Sequence, residues 1–186
     1  MLITPIYDRT SSDVSYLQSL HDKIISSGFD SLTQYEKAFW LNGEQVNLLA
    51  SDGQLVTSDD FNLTVGNSII KGSMNITDLN RIESNTNALA IILDSYGYNI
   101  TLTVKTDWQI SDLFTLEELN RIRYNVDALQ NIFITLSEWI PIEYVNTMDY
   151  VKTNALEWNI YQIDRYLEFM ISSFWYSGEI YSGEGY

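Results

Sequence analysis

Cysteine is absent from this chain of 186 residues, and histidine, proline and basic residues are scarce. Without cysteine there is no disulfide, no thiol nucleophile and no cysteine-based zinc site. The single histidine, His21, excludes multi-histidine metal sites and most Ser-His-Asp schemes, and we interpret it as an ordinary surface or boundary residue. Ten basic against 25 acidic residues give a net charge of −15, which disfavours nucleic acid and anionic membranes as partners.

Long apolar runs are also missing. None is long enough to span a bilayer, and the first twenty residues have no secretory signal. The chain nevertheless has 45% apolar residues and 13% aromatic residues, enough to bury a core. We therefore expect one folded helical domain over residues 1–186, made in a cytoplasm and not inserted into a membrane.

Two shorter helices are predicted near the N-terminus. Thr10 and Asp13 fit a capping box, apolar residues then recur at helical spacing, and Gly28 is a natural end for the first helix. A second helix is expected from Ser31 to about Leu41.

A small β-meander is predicted at about 44–72, inserted between helices. The pairs Asp52-Gly53 and Gly66-Asn67 are typical of hairpin turns between short strand-like runs. The alternation of Ile100, Leu102 and Val104 with polar residues suggests a further strand from Asn99 to Lys105. An EF-hand aligned on Gly53 fails, because Leu48 and Ala50 occupy positions that need oxygen ligands.

An internal repeat is the strongest feature of the sequence. Residues 75–89 and 115–129 share seven identities at a constant offset of 40. A fainter third copy follows at a further offset of 34, with Ala155 in place of Arg81 and Arg121. Asn75, Thr115 and Asp149 fall at the N-cap position of the three copies. The chain is therefore predicted to be mainly α, a bundle of three long repeat-related helices with the two shorter ones before it.

Each copy carries an apolar stripe and one aligned asparagine. The 3-4 spacing of the stripe predicts that the three helices pack along it. The predicted packing residues are Leu79, Ile82, Leu89, Leu119, Ile122, Val126, Leu129, Leu156, Ile160 and Ile163. The aligned Asn85, Asn125 and Asn159 lie about 80° from the stripe, where they are expected to be solvated or to bond a neighbouring helix. We expect Arg81 and Arg121 to pair with nearby acids on the surface.

No catalytic constellation stands out. The phosphate-binding, dinucleotide-binding and zinc-protease motifs are missing, and nothing singles out one pair among the 25 acids for glycoside hydrolysis. We therefore predict no catalytic residue, no metal site and no cofactor, and rank an acid-pair hydrolase last among the functions considered.

The C-terminus is aromatic and glycine-rich. It repeats Tyr-Ser-Gly-Glu at 176 and 181, and residues 176–186 are predicted to form an extended tail. This tail either folds back on its own helices or anchors into a neighbouring subunit. The predicted subunit-interaction residues are Tyr7, Asp8, Arg9, Phe174, Trp175, Tyr176 and Tyr181.

Several stretches together resemble a family of small proteins encoded among the tail genes of phages and prophages of Gram-positive bacteria. The matching stretches are Tyr7-Asp8-Arg9-Thr10, Glu36-Lys37-Ala38-Phe39-Trp40-Leu41, Lys71-Gly72-Ser73-Met74-Asn75, Asp78-Leu79-Asn80-Arg81-Ile82-Glu83, Lys105-Thr106-Asp107-Trp108 and Tyr176-Ser177-Gly178-Glu179. They span most of the chain in order. The chain departs from the family pattern at about 44–70, where the β-meander is predicted.

The resemblance implies a noncatalytic virion or tail-associated structural protein, made in the bacterial cytoplasm and incorporated into the tail. Its partners would be other virion proteins or further copies of itself, in a homo-oligomer or a multisubunit assembly. The alternative is a cell-surface glycan-binding module that stacks sugars on exposed aromatics such as Trp40, Trp108 or Trp175.

Overall fold

The computed structural model describes residues 2–33, 36, 37, 40, 74, 76–109, 111–143 and 146–179, and for 174–179 the backbone alone. Within these ranges the chain is mainly helical and has no strand, so the mainly α prediction is confirmed. The helices are α1 (Ser11–Ser27), α2 (Ile76–Ser95), α3 (Leu116–Phe133) and α4 (Tyr150–Glu179). None of them, within the described ranges, has an apolar stretch long enough to cross a membrane.

The chain divides into two compact units, a division that the sequence did not predict. Unit 1 comprises Met1–Tyr7, Ile76–Met148 and Lys152–Tyr186, and unit 2 comprises Asp8–Asn75 and Asp149–Val151.

Unit 2 contains α1, whose predicted ends are confirmed. Thr10 and Asp13 exchange both bonds of a capping box, and the helix stops at Gly28, which adopts φ 79°. The second predicted helix starts later than Ser31, because Phe29–Ser31 form a 3-10 turn. Glu36, Lys37 and Trp40 are helical, and Thr33 bonds Glu36 in the manner of a second capping box.

Unit 1 is built on α2, α3 and α4. The ten predicted packing residues are each at most 6% exposed, and burial of a side chain of this size contributes roughly 1.5–3 kcal/mol. Near the helix starts Arg81 bonds Glu157, and beyond the end of α2 the Tyr98 ring lies 5.5 Å from Phe133 while its hydroxyl lies 3.6 Å from Met170 Sδ. Residues near the helix starts contact one another, and so do residues farther along the helices. The three helices therefore run in the same direction.

Three segments without helix or strand accompany these helices in unit 1. We call them the first segment (2–7), the second segment (99–109) and the third segment (134–143). The predicted strand from Asn99 to Lys105 is wrong, since this stretch has no strand structure and Asn99 adopts φ 46°. Its backbone groups bond helix side chains instead, as described below.

Two further predictions concern regions at the edge of the described residues. The β-meander at about 44–72 lies outside them. The predicted tail at 176–186 begins too early, because α4 continues through Glu179, and residues 180–186 lie outside the described part. No glycine or proline occurs between Met170 and Tyr176 to stop the helix.

Candidate functional site

The most elaborate polar arrangement in unit 1 surrounds the three segments. Each segment is bonded by the aligned asparagine of one helix. Asn85 of α2 accepts from Ile3 N at 2.8 Å and donates to Ile3 O at 2.7 Å. Asn159 of α4 makes the same pair of bonds with Ile140, at 2.9 and 2.8 Å. In α3, Asn125 donates to Thr103 O at 2.6 Å.

The prediction for these asparagines therefore needs correction. Asn85 and Asn159 are at most 1% exposed and Asn125 is 8% exposed, so none is solvated. They bond the backbones of the three segments and not neighbouring helices. These backbones need donors and acceptors because they have no sheet to supply them.

Each segment also bonds a second helix. Ile6 N donates to Glu157 of α4 at 2.8 Å, and Lys105 N donates to Glu83 of α2 at 2.9 Å. Arg123 of α3 donates to Ile142 O at 3.1 Å. The first segment thus bridges α2 and α4, the second bridges α3 and α2, and the third bridges α4 and α3.

Two of these bridges contain an arginine–glutamate pair, one of them buried and the other, with Arg121, partly buried. Arg81 Nε lies 3.1 Å from Glu157 Oε2, and Arg81 Nη2 also bonds Asp78. Arg121 donates to both Glu83 oxygens, at 2.6 and 2.7 Å. Arg81 is 7% exposed, so the expectation that it pairs on the surface is wrong.

The pKa values of both arginines are raised by these acids. For Arg81, burial lowers the pKa, but the hydrogen bonds and charges of Glu157 and Asp78 outweigh burial and raise it. For Arg121, the hydrogen bond to Glu83 raises the pKa most, with Glu118 adding to it. Both cations therefore stay charged at every pH at which the protein folds.

Glu83 is the most heavily bonded group of this arrangement. Its carboxylate accepts from Lys105 N, from Arg121 twice and from Trp108 Nε1 at 3.0 Å. A carboxylate has about four lone-pair sites, so these four bonds saturate it. Asn80 holds the same segment by bonding both Trp108 N and Trp108 O.

The third bridge has no such pair. Ala155 stands at the aligned arginine position and Arg123 at the aligned glutamate position. Arg123 bonds Asp127 at 2.7 Å, and its Nε is buried without a hydrogen-bond partner among the described residues. Burial raises the pKa of Asp127, although the charge of Arg123 opposes that shift.

The predicted interaction residues lie in different surroundings. Tyr7 is 36% exposed and packs on Trp158 and Tyr161, with ring centroids 5.2 Å away in both cases. Asp8 is exposed, whereas Arg9 is only 4% exposed. The backbones of Phe174, Trp175 and Tyr176 belong to α4, and Tyr181 lies outside the described residues.

The sequence did not identify Glu83 and Glu157 as partners of the segments. The available signal was that both copies with an acid at this aligned position, 83 and 157, place it two residues before the repeated asparagine. Among the described residues, no group of three or more histidines and acids lies close enough to hold a metal ion. Comparison of the chain with protein-family models, with curated proteins and with solved structures finds no match in any of the three.

Proposed function

We propose that this chain is a noncatalytic structural protein of a phage virion, associated with the tail and acting through protein–protein contacts. Support for a noncatalytic role comes from the saturation of Glu83 by four structural hydrogen bonds, and the association with a phage tail rests on the stretches that resemble the tail-gene family. A carboxylate with every lone pair occupied has none left for a substrate, so its role is to hold the second segment in place.

The proposal includes the origin of the bundle. The helices α2, α3 and α4 descend from one unit that consisted of a segment and a helix. Supporting this, the asparagine at 85, 125 and 159 bonds a segment in every case.

Contacts with other subunits would involve the end of α4 and the residues after it. Tyr7 and Arg9 are already packed within the chain to a large extent, so Phe174, Trp175, Tyr176 and Tyr181 are the better candidates. Phe169, which is 53% exposed three turns after Trp158, lies next to this stretch in sequence. The assembly would be a homo-oligomer or a complex with other virion proteins.

The test uses particles released from the bacterium that encodes the chain. We expect mass spectrometry of purified particles to find the protein at a fixed number of copies. Replacing Phe174, Trp175 and Tyr176 together by alanine should reduce its incorporation, while the control Ile25→Ser, at an exposed position of α1, should not. A protein missing from every particle, and strictly monomeric by light scattering, would contradict the proposal.

Glycan binding by an open row of tryptophans has less support. Trp108 is 4% exposed and donates its indole N–H to Glu83, so its ring is not available for stacking. Trp40 is only partly exposed, and the side chain of Trp175 lies outside the described part.

A further inference from the structure

An open groove of about 750 Å³ lies between the second segment and α3. Its size is within the range of small-molecule sites, which is roughly 300–1,000 Å³. Two threonines of the segment form one wall and one face of the helix forms the other. The lining residues are Thr101, Thr103, Leu116, Glu117, Asn120, Arg121, Tyr124 and Asn125.

Tyr124 is the largest apolar surface in this groove. It is 60% exposed, and the Arg123 guanidinium lies 4.2 Å from the centroid of its ring. Arg123 is itself fixed by Asp127 and by Ile142 O. The guanidinium therefore covers one side of the ring and favours its present orientation.

At the aligned position in α4, a large aromatic ring is covered by other rings. Trp158 stands there and packs against Tyr7 and Tyr161, with centroids 5.2 and 5.7 Å away. Tyr124 makes its only ring contact among the described residues with Arg123. A large aromatic side chain gains most from burial, so a ring left this exposed is suited to a ligand.

The polar lining selects a neutral ligand. Arg121 is compensated by Glu83 and Glu118, so it offers little attraction to an anion. Glu117 and the net charge of −15 repel anions as well. The exposed Thr101, Thr103 and Glu117 supply two hydroxyls and a carboxylate for hydrogen bonds with a ligand rich in hydroxyl groups.

We propose that this groove binds a neutral saccharide, with the apolar face of one sugar ring stacked on Tyr124. Glu117 accepts hydrogen bonds from the hydroxyl groups of the sugar, and the hydroxyls of the two threonines both donate to them and accept from them. This function is separate from the structural role proposed above and does not require the tryptophans. It would let an assembled particle recognise an uncharged surface polysaccharide.

The test is an array of neutral and acidic oligosaccharides probed with the full chain, followed by calorimetry with the neutral oligosaccharide that binds best. We expect binding to at least one neutral oligosaccharide. Tyr124→Ala should weaken it roughly tenfold or more, because the stacking surface is lost. Tyr124→Phe keeps the ring and should retain binding within about twofold, which separates stacking from any effect on folding.

A matched control is Tyr96→Ala, which removes a ring that is 45% exposed and does not line the groove. It should leave the affinity unchanged. The proposal is overturned if no neutral oligosaccharide binds at millimolar concentration, if only acidic ones bind, or if Tyr96→Ala and Tyr124→Ala weaken binding equally.

Discussion

Buried charges at single residues hold unit 1 together, and each is tolerated because of its partners. An isolated buried carboxylate costs several kcal/mol, and it is stable only when its lone pairs are filled. Glu83 is 1% exposed and accepts four hydrogen bonds, and Glu157, 0% exposed, accepts from Arg81 and Ile6 N. Each of these acids also fixes the position of one segment, because it accepts a hydrogen bond from a backbone N–H group of that segment.

Replacing Glu83 by glutamine tests this residue directly. Glu83→Gln turns one acceptor oxygen into an NH₂ donor that faces other donors, and it removes the main counter-charge of Arg121. We expect the free energy of unfolding to fall by about 3 kcal/mol in urea titrations. Glu117→Gln, at an exposed position of α3, should change it by less than about 0.5 kcal/mol. Equal effects of the two substitutions would contradict the assigned role.

Glu36 in unit 2 provides a pH prediction. Its hydrogen bond to Lys23, followed by the backbone bond from Thr33, lowers its pKa from 4.5 to about 2. Between these pH values the unfolded state binds more protons than the folded state. The stabilisation is therefore complete above pH 4.5 and is lost as the pH falls to about 2.

Carboxyl NMR titration of Glu36 measures this pKa. Lys23→Met should shift it upward, because the largest cause of the depression is removed. Glu36→Gln should flatten the acid limb of the stability curve over the same pH window. A Glu36 pKa near 2 that survives Lys23→Met would show that the ion pair is not its cause.

At the scale of elements, the helices follow from the sequence and the three segments do not. The spacing of Leu119, Ile122 and Val126 predicts both that the stretch is helical and which of its residues are buried. Both can be predicted because the helical period and the buried face depend only on the local sequence. The alternation from Asn99 to Lys105 predicts a strand, and the structure has none there. What it cannot indicate is the bonding partner, since Glu83 and Asn125 lie 22 residues from their segment atoms.

Hydrogen exchange should detect the bonds between the segment amides and the helix side chains. Amides in irregular segments usually exchange fast, but five here donate to helix side chains, four of which are buried. The exchange of these five amides should be roughly tenfold or more slower than that of exposed segment amides. The five are the amides of Ile3, Ile6, Lys105, Trp108 and Ile140. In Asn159→Ala the amide of Ile140 should lose its protection while that of Ile3 keeps it.

At the scale of the whole of unit 1, three parallel helices and three segments form a closed cycle of bridges. The first two bridges join an arginine of one helix to a glutamate of the next, as in Arg81 with Glu157 and Arg121 with Glu83. The third carries Ala155 and Arg123 at the aligned positions, and Arg123 bonds a carbonyl where the glutamates bond N–H groups. The third bridge therefore has a cation where the other two have a carboxylate, and this cation bonds a backbone carbonyl where the carboxylates bond backbone N–H groups.

If the three helices descend from one unit, the third bridge should accept the pattern of the other two. Ala155→Arg alone places a cation near Arg123, and Arg123→Glu alone gives up the bond to Ile142 O, so each single variant should unfold more easily. The double variant rebuilds an arginine–glutamate pair, and we expect a favourable coupling of about 2 kcal/mol in a double-mutant cycle. Arg123→Gln combined with Ala155→Arg is the control, because it removes the cation without supplying a carboxylate, and it should recover less than half of that coupling. Additive single effects in the glutamate cycle would mean that Ala155 and Arg123 do not face each other, and the common origin of the three bridges would have to be given up.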